Sequence, residues 1–354
     1  MTERLNTIQD NQGQISRTID LLRFPMAALV VLLHTAALGA NSSHLVYSTL
    51  CIALGRGICR IAVPCFFLIS GYLFFSKLED KWDTGIWLEK LKKRVRTLLI
   101  PYLLWNTIAA VAIWGYRWVF ARTHGETYPG FFGHIASMRG LWDYSDAVAF
   151  DGPLWFIRHL MILMVFAPVV WVFMKFLRGW GLLALTIVFV LIGHIPEGVV
   201  FFTGGAWLRV EKRNMLEEFG RFKLWATAFA ILSLAALTLT YRESPELYRM
   251  TSSIFVLVGT VVFFLLAGEA AKKGAKAAPL LANSSFFIFA THSILILHDF
   301  SHWIILHLLP FQGEWMECID LFLRPTIAIA ICLLLYKLMN RFTPKMLAVL
   351  TGGR

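Results

Sequence analysis

Residues 23–34 read RFPMAALVVLLH, and the run continues as TAALGA to residue 40. An arginine opens the stretch and a histidine lies deep within it. A helix crossing ~30 Å of hydrocarbon needs about 20 apolar residues, and this segment supplies them. The rest of the chain agrees. Of its 354 residues, 58% are hydrophobic, against roughly 45–50% in a soluble domain. Mean hydropathy is +0.65 and the sequence pI about 9.6. The formal net charge of +11 would point to nucleic acid in a soluble protein. Here the positive charges gather between apolar runs, so membrane lipids are the expected partner and nucleic acid is not. The first 18 residues, MTERLNTIQDNQGQISRT, are polar, and a cleavable signal peptide is not expected.

Ten apolar runs are long enough, or nearly so, to span: 19–39, 48–75, 98–119, 154–174, 180–195, 197–208, 224–241, 252–268, 284–306 and 319–339. The sixth, EGVVFFTGGAWL, would rise only about 18 Å as a helix. With the N-terminus in the cytoplasm, the inside segments together with Lys337 carry 23 Lys and Arg. The outside loops then carry four: Arg122, Arg139, Arg242 and Arg249. This bias predicts both termini inside and an even number of spans. KFLRG (175–179) and RVEKR (209–213) are both basic, so two crossings must separate them. The expected architecture is therefore an all-α polytopic membrane protein of about ten helices. It has a cytoplasmic N-terminal segment 1–18, a membrane domain 19–341 and a cytoplasmic tail 342–354. The inside stretch KLEDKWDTGIWLEKLKKRVR (77–96) reads as a basic interfacial helix. Five cysteines are too few for a disulfide framework, although a Cys51–Cys318 bridge near the outer face is conceivable.

Six arginines fall within or beside spans: Arg23, Arg56, Arg60, Arg117, Arg158 and Arg324. A charge near the bilayer centre costs at least ~2.5–3.5 kcal/mol, so it normally faces a partner or a cavity. Carboxylates in the spans look scarce, with Asp20 and Asp299 the candidates, and a surplus of positive charge argues for an anionic ligand. Arg23 and His34 lie about 16 Å apart along the axis and within about 20° around it. Arg56 and Arg60 share a face at i, i+4. Arg158 and His159 are expected in the outer half and His292 near the middle. An arginine at the inner surface with a base further in suits an extended, phosphate-headed thioester such as acyl-CoA. A neutral imidazole takes a proton from a hydroxyl near pH 7, and buried arginines stabilise the oxyanion that forms.

Arg23-x10-His34, in the setting RTIDLLRFPMAALVVLLH, resembles the signature of the membrane acyltransferase-3 family. VPCFFLISGYLF (63–74), KKRVRTLLIPY (92–102), GPLWFIRHL (152–160) and FFIFATHSI (286–294) resemble further segments of that family, in order and over most of the chain. The resemblance implies a multi-pass enzyme of the bacterial inner membrane. It implies transfer of an acyl group, commonly acetyl, from cytoplasmic acyl-CoA to a glycan, a lipid-linked glycan or another hydroxyl acceptor. By the same resemblance His34 is the catalytic histidine and Arg23 its paired arginine. Arg56, Arg60, Ser70, Arg158, His159 and His292 fall in matching segments as candidate substrate-binding residues. The family often has Gly after the first arginine, where this chain has Phe24-Pro25, which would place Arg23 at a helix start. The chain stops at Arg354, so a minimal form without an appended hydrolase-like domain is expected.

Acetyl-CoA is the expected donor and no metal is expected. A His298–His302 metal pair and an acyl-carrying Ser70 are weaker readings. Ser70 reads better as part of a structural SGY turn near the inner face. A transporter or flippase for an anionic or glycan substrate is the alternative function, and acyl-CoA binding would discriminate the two. The oligomeric state stays open.

Overall fold

The structure is a computed structural model that describes residues 2–133, 151–193, 195–308 and 313–353. Arg139 and the rest of 134–150, in the expected outside loop, lie outside the described residues. Those described form an all-α bundle. In chain order the helices are α1 (Thr2–Gly39), α2 (Leu45–Cys51), α3 (Ala62–Phe74), α4 (Thr84–Arg94), α5 (Ile100–Thr123), α6 (Trp155–Val165), α7 (Ala167–Leu191), α8 (Glu197–Val210), α9 (Met215–Gly220), α10 (Lys223–Thr240), α11 (Pro245–Lys272), α12 (Pro279–Thr291), α13 (Ser301–Leu308), α14 (Glu314–Phe342) and α15 (Pro344–Leu350). Short π or 3-10 turns join α2 to α3 and α4 to α5 into continuous rods, and an interrupted stretch ending in a π turn links α12 to α13. Eight helical segments are long and apolar enough to cross a membrane among the described residues: Gly13–Gly39, Leu45–Phe74, Thr84–Thr123, Ala167–Leu191, Lys223–Thr240, Pro245–Lys272, Pro279–Leu308 and Glu314–Phe342. Gly152–Val165 is apolar but shorter. The chain is an all-α polytopic membrane protein.

Local sequence sets the helix ends. Asp83 accepts from Ile86 N at 3.0 Å, and Asn214 from Leu216 N at 2.9 Å, both as N-caps. Proline opens α11, α12 and α15, where its missing N–H costs nothing. Close packing fixes neighbours. A methyl group on Gly71 would lie 2.1 Å from Phe202 O, and one on Gly205 would lie 2.0 Å from Leu68 O. The backbones of α3 and α8 therefore touch, which only glycine permits.

Polar contacts cluster at two ends of the bundle. At one end Glu314 accepts from Val46 N at 2.6 Å and Tyr47 N at 3.1 Å. His44 Nδ1 lies 2.7 Å from Glu317 Oε2, and Arg242 donates to Ser42 O and Ser48 Oγ. At the other end Arg209 pairs with Glu79 at 3.1 Å and Lys212 with Asp80 at 2.6 Å. Trp171 donates to Leu78 O at 2.8 Å there.

Several expectations change. Arg23 is not at a helix start: α1 runs through it, with Pro25 inside the helix. A bundle-packed membrane helix tolerates an interior proline, because neighbouring groups serve the freed carbonyl. Ser70-Gly71-Tyr72 is no turn but part of α3, and Gly71 serves helix contact instead. The expected spans 154–174 and 180–195 appear as α6 followed by α7, whose Arg178 has φ 49° and ψ −137° and breaks the helix into two limbs. Asp151, assigned by sequence to the outside loop, is 1% exposed inside the bundle. Cys51 and Cys318 are both free and buried. The C-terminal segment folds back as α15, with Leu347 and Leu350 buried and Leu350 O accepting from Trp105 Nε1 at 2.9 Å.

Candidate active site

A cavity of about 1090 Å³ opens among α1, α3, α6, α7, α8 and α11. His34, Arg56, Arg60, His159, Glu197 and Tyr248 are among its polar groups, with Arg249 and Ser253, and Phe67, Trp155 and Phe289 are among its apolar walls. Four of the residues singled out from sequence therefore meet in one space. The other four do not line it.

His34 reaches the cavity from α1. Its Nδ1 lies 2.8 Å from Val30 O. A carbonyl only accepts, so Nδ1 carries the hydrogen and Nε2 keeps the lone pair. His159 repeats the device on Trp155 O at 2.8 Å, and His292 on Ile288 O at 3.0 Å. His292 is fully buried and stands edge to face with His34, ring centroids 5.1 Å apart and planes at 65°. Its Nε2 has no hydrogen-bond partner. The rod carrying it is interrupted there: α12 ends at Thr291, Leu295 adopts φ 58°, and a π turn follows over Ile296–Phe300. Such interruptions recur at functional sites in membrane helices.

The arginines separate by their partners. Arg60 gives Nη2 to Glu197 Oε2 at 3.1 Å and Nη1 to Ser252 Oγ at 3.1 Å. Arg324 pairs with Asp320 one turn away. The expected shortage of carboxylates is thus corrected at two sites. Asp320-x3-Arg324 was readable from its i, i+4 spacing, whereas Glu197 meets Arg60 only through the packing of distant helices. Arg56 lies over the Tyr241 ring at 5.9 Å, with Nε buried and unpaired. Arg158 has Nε and Nη2 buried without partners, outside the cavity lining. Arg23 is exposed and pairs with Asp20 at 3.3 Å. Ser70 stays within α3, away from the cavity lining. Among the described residues no group of three or more His, Cys, Asp or Glu side chains is arranged to hold a metal ion, His298 and His302 included.

Sequence reasoning missed Asp151. Ser293 Oγ, next to His292, donates to its Oδ1 at 2.7 Å, while Oδ2 is buried without a partner. The Asp-Gly-Pro run reads as a surface turn, and no local signal marks it as buried.

A family model described as an acyltransferase domain matches residues 17–337. The chain belongs to the acyltransferase-3 family. This acyltransferase is 27% identical to the succinoglycan biosynthesis protein ExoH of Rhizobium meliloti (strain 1021) over 374 aligned residues, covering 97% of this chain and 93% of that one. No solved structure matches it. Membership sets an O-acyltransferase above the transporter reading. An imidazole with a fixed tautomer, its basic nitrogen free and a cavity beside it, suits the proton transfer that acylation of a hydroxyl requires.

Proposed function

We propose that this enzyme moves an acyl group, acetyl in the simplest case, from acyl-CoA to a hydroxyl of a cell-envelope glycan. The observation that carries the reading is the bond from His34 Nδ1 to Val30 O on the cavity wall. It leaves Nε2 as the base. The acceptor oxygen attacks the thioester carbonyl while His34 Nε2 takes its proton. The tetrahedral intermediate then collapses, the C–S bond breaks, and the imidazolium returns the proton to the departing thiolate. Arg56, whose Nε has no hydrogen-bond partner, is a cavity-wall cation for the developing oxyanion, and Arg60, Tyr248 and His159 offer hydrogen bonds to the acceptor. The glycan follows from the name of the relative from Rhizobium meliloti, a polysaccharide biosynthesis protein.

In this reading the chain crosses the bacterial inner membrane ten times, with Arg178 as a turning point and both termini in the cytoplasm. Arg23, paired with Asp20, stands where the coenzyme A phosphates enter. The test is transfer by purified protein in lipid nanodiscs, from radiolabelled acetyl-CoA to an envelope glycan preparation. Incorporation that His34→Ala abolishes supports it. Absence of transfer from acetyl-, propionyl- and succinyl-CoA would sink it.

A further inference from the structure

Three guanidiniums line the cavity, those of Arg56, Arg60 and Arg249, against one carboxylate, Glu197. The carboxylate is already committed. Glu197 Oε2 accepts from Arg60 Nη2 at 3.1 Å, and the Ser252 and Tyr248 hydroxyls are further partners of Arg60. Among the described residues neither Arg56 nor Arg249 is in an ion pair. The other polar groups of the wall are imidazoles, an indole, hydroxyls and a thiol, which supply no counter-charge. Two positive charges are thus left over on the wall. Intramembrane charge without a counter-charge is costly and marks a ligand or ion path. Arg56 stands for the oxyanion, which exists only during transfer. Arg249 is left without an anion.

Arg249 is held in place. Its Nη1 donates to Val190 O at 3.0 Å and its Nη2 to Leu191 O at 2.7 Å. These carbonyls end α7, where the helix dipole supplies about half an elementary negative charge, less than the guanidinium carries. Gly193, with φ 75°, leaves the room: a methyl there would lie 2.5 Å from Arg249 Nη1. Two of the five N–H groups of Arg249 are used in this way and three remain. A guanidinium pinned through one set of donors loses little freedom when the others take a ligand.

Arg249 also belongs to one end of the bundle. It lies in the second turn of α11, His34 lies near the C-terminal end of α1, and Glu197 opens α8. Arg242, just before α11, donates to Ser42 O, just after α1, so those two helix ends lie together. Arg23 precedes His34 on α1, towards the opposite end. Coenzyme A phosphates at Arg23 therefore do not supply the anion that Arg249 calls for, and that anion belongs to the other substrate.

We propose that Arg249 forms a subsite for a carboxylate on the acceptor, so that the sugar acylated beside His34 is acidic or adjoins an acidic sugar. The proposal rests on the acyl-transfer reading for the chemistry at His34. A carboxylate accepts two N–H groups of one guanidinium at once. Glu197 on the same wall repels a dianion more than a monoanion, which favours a carboxylate over a phosphate.

The test uses the methyl glycosides of cellobiouronic acid and of cellobiose, which differ by one carboxylate, with the protein in nanodiscs. Kd without donor and KM for acetylation from acetyl-CoA are measured for both. Both constants should be about tenfold lower for the acid, the usual size of one charge-assisted contact. In Arg249→Gln the acid-to-neutral ratio should approach one. Arg249→Lys, which keeps the charge and loses the fork, should retain part of the preference and guards against loss of the fold. Equal affinity for the two glycosides, or binding of neither, overturns the proposal. So does a preference for succinyl-CoA over butyryl-CoA that Arg249→Gln abolishes, since it places the carboxylate on the acyl group. Acid-selective binding that Arg249→Gln removes, without transfer from any acyl-CoA, would remove the proposed function and leave the carboxylate subsite standing.

Discussion

His34 and His292 stand edge to face, ring centroids 5.1 Å apart, and each has its Nδ1 bonded to the carbonyl four residues earlier. Each imidazole is thereby held with a hydrogen on Nδ1 and its Nε2 free of backbone. His34 faces the cavity and His292 is sealed behind it. The first is placed to exchange protons with substrate, and the second shapes the surroundings in which it does so.

His34→Gln should therefore lower acyl transfer by about 10²–10⁴, the usual contribution of a positioned base. Glutamine keeps hydrogen bonding and loses proton acceptance. Normal insertion and acyl-CoA binding should accompany the loss. Transfer by the variant near the parent rate would move the search for a base to His159 or His292.

Breaking the Arg60–Glu197 pair should cost stability. Glu197→Ala removes the carboxylate 3.1 Å from Arg60 Nη2 and leaves a guanidinium on a cavity wall with the uncharged partners Ser252 and Tyr248. A charge-assisted hydrogen bond at a partly buried site is worth about 1.5–3 kcal/mol. A clear drop in melting temperature in detergent is expected, and the double variant Arg60→Met/Glu197→Ala should recover part of it. An additive double variant would mean the pair is not coupled.

The His44–Glu317 contact gives a pH dependence. The hydrogen bond that His44 donates to Glu317, then the charge of that carboxylate, raises the His44 pKa above its ordinary 6.5. Its stabilising contribution is complete below about pH 6.5 and fades as pH rises through the higher folded-state value. Thermal stability should decline slightly over that window, and Glu317→Gln should flatten the profile. A decline of the same size in Glu317→Gln would assign it to another group.

Topology is open to cysteine labelling. The five native cysteines are buried, so background reaction is low. Ser43 and Lys345 are exposed, and cysteines placed there should be modified from opposite sides of the membrane. Modification of both by an impermeant reagent added to one side would refute ten crossings.

Much of this architecture is legible in one dimension. Apolar runs and the Lys/Arg bias are local features, and each helix satisfies its own backbone hydrogen bonds in lipid. The runs therefore mark the helices from sequence alone, the ordered motifs single out His34, His159 and His292, and intramembrane charge singles out Arg60. What tertiary structure decided is adjacency. His34 meets His292, Arg60 meets Glu197 and Ser293 meets Asp151 across 258, 137 and 142 residues. Hydrocarbon gives helices little hydrophobic reason to prefer one neighbour over another. The choice falls to close fits such as Gly71 on Phe202 and Gly205 on Leu68. Those fits depend on surfaces presented by two distant segments at once, so no single stretch of sequence displays them.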